Sequence, residues 1–74
     1  MKNYYYGFKY KNGNKVSGHN LEKIELLDNN YIRLSGVDII QTINDYEKRS
    51  WVILLDMEEI EYLKIEPMIE EEND

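Results

Sequence analysis

Residues 21–36 read LEKIELLDNNYIRLSG, and a single register accounts for all of them. Asp28, Asn29 and Asn30 tolerate the positive φ that a tight turn requires, so they serve as a three-residue loop between two strands. Folded about that loop, Leu26 faces Ile32, Ile24 faces Leu34, and Glu25 faces Arg33. Apolar pairs then share one side and an ion pair occupies the other, which is how cross-strand pairs stabilise an antiparallel hairpin.

Upstream of this segment, Tyr4, Tyr6, Phe8 and Tyr10 alternate with Tyr5, Gly7, Lys9 and Lys11. That period of two predicts a strand with its aromatic side in the core and Tyr5 and the lysines outside. Asn12-Gly13 follows, a strong hairpin signal. A two-residue loop would put Val16 opposite Lys9, whereas a three-residue loop with a bulge keeps it beside Phe8 or Tyr10, and the latter is preferred. Gly18-His19 then reads as a turn that leaves His19 in solvent.

Downstream, GVDIIQTINDYEKR (36–49) supports two readings. Ser35 followed by Asp38 resembles a helix start, and Ile39, Ile43 and Tyr46 fall at helical spacing. Val37, Ile39, Ile40, Thr42 and Ile43 are β-branched and sit better in a sheet, so strand is favoured over a helix at 36–47. SWVILL (50–55) has strand length and no alternation, which predicts a strand covered on both faces at the centre of the core. Asp56 to Glu59 form one short helical turn, and IEYLKIE (60–66) is a last strand that Pro67 terminates. The reading is one β-domain over 1–66 with an acidic, disordered tail over 67–74.

A strand ending in a Gly-containing turn, three further short strands, a helical turn near LDMEEI and a closing strand resemble the Sm-like and SH3-like small barrels. The resemblance runs over residues 4–66 and rests on this order, on Gly13, Gly18 and Gly36, and on LDMEEIEYLKI. It implies a mainly β fold, a small and strongly bent five-stranded barrel or sheet. It transfers no binding residue. Sm-like proteins often bind RNA as rings, and the charge of this chain is at odds with that activity.

The chain has 74 residues and a net charge of −6. Five lysines stand against Glu22 in residues 1–24, while nine acids stand against Lys64 in residues 56–74. Phosphate backbones are held mainly by Lys and Arg that displace counterions, so nucleic acid is a less favoured partner than protein. A chain this short buries a small core, and without cysteine it lacks disulfide and zinc-thiolate staples, so a homo-oligomer is expected. No apolar run reaches the roughly 18 to 20 residues a bilayer-spanning helix needs. MKNYYYGFKY has no apolar signal-type core either, and a cytoplasmic location is expected. Richness in Lys, Asn, Ile and Glu is typical of AT-rich bacterial or phage genomes.

Catalysis needs a positioned base, a nucleophile or a metal. One histidine, no cysteine and three serines outside any nucleophile elbow predict no enzyme, no catalytic residue and no cofactor. Asp56, Glu58, Glu59 and Glu61 lack the glycine-punctuated spacing of a calcium loop and read as a solvated acidic face rather than a metal site. The informative feature is aromatic richness, since tyrosine buries large area at small entropic cost. Tyr5, Lys9, Lys11, Lys15 and Arg33 form the candidate contact patch. The favoured function is a small regulator that binds a protein, a phage-type inhibitor among the forms it could take. The alternatives are an oligomer that sequesters a small anion or nucleotide, with stacking and lysine contacts, and an Sm-like nucleic-acid binder.

Overall fold

The computed structural model describes residues 3–69. Five antiparallel strands form one sheet: β1 (Tyr4–Tyr10), β2 (Lys15–Leu26), β3 (Tyr31–Gln41), β4 (Tyr46–Asp56) and β5 (Ile60–Pro67). Their spatial order is β4-β3-β2-β1-β5, so the last strand returns beside the first and the sheet stays open between β4 and β5. This is the mainly β, strongly bent architecture that the sequence predicts. Residues 36–47 lie in β3, a turn and the start of β4, so strand prevails over helix there.

Local chemistry sets each turn. Tyr10 N–H donates to Asn14 O at 2.8 Å around the three-residue loop 11–13, whose Gly13 has φ +99°. Val16 accordingly pairs with Phe8. Leu27 N–H donates to Tyr31 O around Asp28–Asn30, and Asn29 and Asn30 take φ of 62° and 64°. The register that follows pairs Leu26 with Ile32, Ile24 with Leu34 and Glu25 with Arg33. Asp56 Oδ1 accepts from Glu58 N–H and starts the 3-10 turn Met57–Glu59.

Gly18 and His19 lie inside β2, not in a turn. β2 absorbs its change of direction with bulges instead. Between the pairs Tyr4/Leu21 and Tyr6/Gly18 it spends three steps against two on β1, and between Leu21/Gly36 and Lys23/Ser35 two steps against one on β3. Each extra residue bends the strand and increases its twist. Asn20, at φ 62°, occupies the bend. The first half of β2 therefore serves β1, and the second half serves β3.

The buried apolar set among the described residues is small: Phe8, Leu21, Leu34, Leu55 and Ile60. Tyr4, Tyr6, Tyr10, Ile32, Trp51, Ile53, Met57, Leu63 and Ile65 pack around it. Two aromatic rings lie across glycines on neighbouring strands. Tyr6 covers Gly18 and Trp51 covers Gly36, and the two rings meet at 5.3 Å between centroids.

SWVILL departs from its expected place. It lies on β4, an edge strand with one covered face: Trp51, Ile53 and Leu55 point inward, while Val52 and Leu54 are 63% and 58% exposed. A continuous apolar run carries no information about which face is covered, which is why the pattern alone misplaced it. Leu26 is likewise exposed although its register is as expected, because it sits where β2 reaches the end of the sheet. Of the tail expected over 67–74, Pro67 closes β5 and Met68 N–H donates to Asn3 O; residues 70–74 lie outside the described residues.

β3 leaves β2 at Gly36, yet continues paired to β4 through Gln41. Residues 37–50 thus form a two-stranded ribbon that projects past the sheet. The radius of gyration of 14.5 Å reflects it. A compact chain of this length would have about 11 Å.

Candidate functional site

The expected patch is split by the fold. Lys9 and Lys15 are direct cross-strand neighbours, Lys11 is exposed in the adjoining loop, and Tyr5 lies farther along β1 opposite Glu66. Arg33 does not join them. Its partner Glu25 is ten residues along β2 from Lys15, and Arg33 is held there by two bonds, Nε to Oε1 at 3.1 Å and Nη2 to Oε2 at 2.6 Å. This bidentate fork holds the Glu25 carboxyl below its usual range, through the hydrogen bonds first. On the lysine side, Lys9 Nζ is 3.3 Å from Glu61 and Lys64 Nζ is 3.6 Å from Glu66, so acids of β5 offset that face. The result is a mixed surface of Tyr5, Tyr62 and both charge signs.

A second feature is a cleft of about 300 Å³ formed by β1, β2, β3 and β4, lined by Tyr6, Gly18, His19, Asp38, Trp51 and Ile53. Burial, and then the Asp38 carboxylate, push the Tyr6 phenol above its ordinary pKa. Asp38 Oδ1 accepts from Asn20 Nδ2 at 3.2 Å, which ties the bulge to β3. With its rings resting on each other and on two glycines, this cleft is a packed wall with a polar rim. Asp56 caps a turn and Glu61 pairs with Lys9, and among the described residues no three His, Asp or Glu side chains converge as metal ligands.

The third feature is the ribbon, which the sequence reading did not single out. Ile39 and Tyr46 are 63% and 67% exposed, and Ile43 at the tip is 98% exposed. Ile39 and Tyr46 lie on one face, set by the pairs Ile39/Lys48 and Gln41/Tyr46. The tip is nevertheless locked. Thr42 N–H and Oγ1 both donate to Asp45 O, at 2.7 and 2.8 Å, Asp45 N–H returns to Thr42 Oγ1 at 3.2 Å, and Tyr46 N–H donates to Asp45 Oδ1 at 2.7 Å. The signal was present in the sequence as Thr42 and Asp45 flanking two residues, a turn pattern masked by the helical spacing of Ile39, Ile43 and Tyr46.

No helix among the described residues is long and apolar enough to cross a membrane. Comparison with protein-family models, curated proteins and solved structures finds no match to this chain.

Proposed function

We propose that this protein is a non-enzymatic regulator that acts by inserting the β3–β4 ribbon into an apolar cleft of a protein partner. The observation that carries this reading is the tip: Ile43 stands almost wholly in water on a turn fixed by its own hydrogen bonds. Exposed apolar side chains that cluster mark interaction surfaces. A preorganised finger loses little conformational entropy when it docks, which favours affinity. Tyr46 beside it supplies the aromatic anchor typical of interface hot spots.

The charge pattern supports protein rather than a polyanion. Asp45 and Glu47 balance Lys48 and Arg49 along the ribbon, and Arg49 Nη2 lies 3.6 Å from Glu47. No cationic stripe of the kind that follows a phosphate backbone is formed there. Blocking a cleft by insertion also needs no catalytic group.

The test is retention of a stoichiometric protein from source-cell lysate by the immobilised chain, compared with Ile43→Asp. The expected result is a partner whose affinity falls roughly thirtyfold or more in the variant, the loss of a hot-spot side chain of about 2 kcal/mol. Equal retention by both forms, or no partner at all, refutes the reading.

A further inference from the structure

The open sheet has two free edges, and they are not alike. Thr42 N–H donating to Asp45 O fixes 42/45 as a hydrogen-bonded pair. Since such pairs alternate along an antiparallel ladder, the odd-numbered residues of β4 bond to β3. Lys48, Ser50, Val52, Leu54 and Asp56 therefore turn their backbone N–H and C=O groups to the open edge. By the same alternation, counted from Tyr10 N–H to Asn14 O, Glu61, Leu63, Ile65 and Pro67 face outward on β5.

Natural sheets protect edges with proline, charge, bulges or short length. β5 carries these devices: eight residues, a pairing shift at its start, Glu61, and Pro67 without an N–H at its end. β4 is eleven residues long, pairs with β3 without a shift, contains neither proline nor glycine, and keeps its charges, Glu47 to Arg49 and Asp56, away from its centre. Its centre bears the exposed Val52 and Leu54.

We propose that β4 is the self-association edge of this protein, pairing antiparallel with β4 of a second copy about a two-fold axis at Val52. In that register Val52 meets Val52, Ser50 meets Leu54, and Lys48 meets Asp56 at both ends. Lys48 has no ion-pair partner among the described residues, and Asp56 uses only Oδ1 in its cap. Moving the axis to Trp51 sets Lys48 against Leu54 and Asp56 against Tyr46, and moving it to Ile53 sets Asp56 against Ser50 and carries Lys48 past the end of the partner's β4. The chosen ladder joins two sheets through roughly ten backbone hydrogen bonds. It also covers apolar surface for a chain whose buried core among the described residues is five side chains. The edge around Val52 pairs without any contact from the exposed Ile43 side chain.

The chain has no cysteine, which makes cross-linking decisive. Directly bonded cross-strand residues stand about 5.5 Å apart at Cα, within the disulfide range of about 4.4–6.8 Å. Val52→Cys is expected to form a covalent dimer under mild oxidation. Its rate should exceed that of Lys64→Cys, on the opposite edge, by on the order of tenfold or more, because pairing raises the local thiol concentration. Sedimentation of the unmodified protein should show a species of twice 8.9 kDa, and Val52→Lys should sediment as a folded monomer. Backbone amides of residues 48, 50, 52 and 54 should gain exchange protection as concentration rises. A monomer at every concentration, equal cross-linking of the two cysteine variants, or assemblies larger than a dimer would each overturn the proposal. Loss of lysate partner binding by Ile43→Asp with dimerisation intact, or the reverse, separates this inference from the ribbon reading.

Discussion

Substituting Gly36 with alanine tests the packing that bends this sheet. A Cβ at position 36 would lie 2.0 Å from Asn20 O and 2.7 and 2.9 Å from Trp51 ring atoms. The ring can tilt, but the Asn20 carbonyl belongs to the backbone of the β2 bend and moves only with the bulge itself. Overpacking of a filled site costs about 1–3 kcal/mol, and the backbone obstacle puts Gly36→Ala at the upper end, about 3 kcal/mol. A 74-residue domain has a total stability of roughly 4–11 kcal/mol. The substitution therefore removes a large share, a fall in Tm on the order of 12–24 °C.

Gly7→Ala is the matched control. Its Cβ would meet only Val16 O at 3.8 Å, an ordinary contact, so the change should lie within about 1 kcal/mol and can stabilise by restricting the unfolded chain. Thermal and urea melts followed by circular dichroism read both variants. Adding Trp51→Leu to Gly36→Ala should rescue only part of the loss, because the carbonyl stays in place. If Gly36→Ala and Gly7→Ala melt within 1 kcal/mol of each other, or if Trp51→Leu restores full stability, the reasoning about the bend fails.

Gly13→Ala should cost about 1–2 kcal/mol from backbone strain alone, since φ is +99° and nothing lies within 4 Å of the added carbon; Gly13→Asn should cost less, and equal urea midpoints for wild type and Gly13→Ala would contradict this. Glu25 has a folded pKa below its ordinary value, so the stability from its pairing with Arg33 is fully present above the usual glutamate range and is lost as pH falls through the depressed value. The urea-midpoint gap between wild type and Glu25→Gln should thus be open near neutral pH and close as pH falls through the depressed carboxyl range; a gap that widens on acidification has the wrong sign.

Most of the fold was legible where local chemistry and face pattern agree. The loop at Asp28–Asn30, the register of Ile24 with Leu34, the three-residue loop at 11–13 and the turn capped by Asp56 all follow from short-range preferences that tertiary contacts reinforce. What escaped were consequences of the whole sheet. SWVILL could not reveal that its strand lies at an edge, because both faces are equally apolar. Gly18-His19 read as a turn because a glycine bearing the Tyr6 ring and a glycine in a loop look alike in sequence. Lys9, Lys11 and Lys15 gather as expected, but Arg33 does not, since two bulges divide β2 between separate neighbours. The ribbon tip was hidden because its isoleucines satisfy helical and strand spacing equally.

The return of β5 to β1 has a consequence during synthesis. β1 is made first and its second neighbour last, some fifty residues later, several seconds at roughly 5–20 residues per second. Through that interval the nascent chain exposes the side of β1 that β5 will cover, and it lacks Ile60 from its core. Lys9, with Lys11 and Lys15 beside it, borders that temporary edge, and the carboxylate of Glu61 that pairs with Lys9 arrives only with β5. Lysines at a strand edge deter pairing with other chains. Lys9 thus places a positive charge on that edge until β5 arrives, and Glu61 then pairs with it.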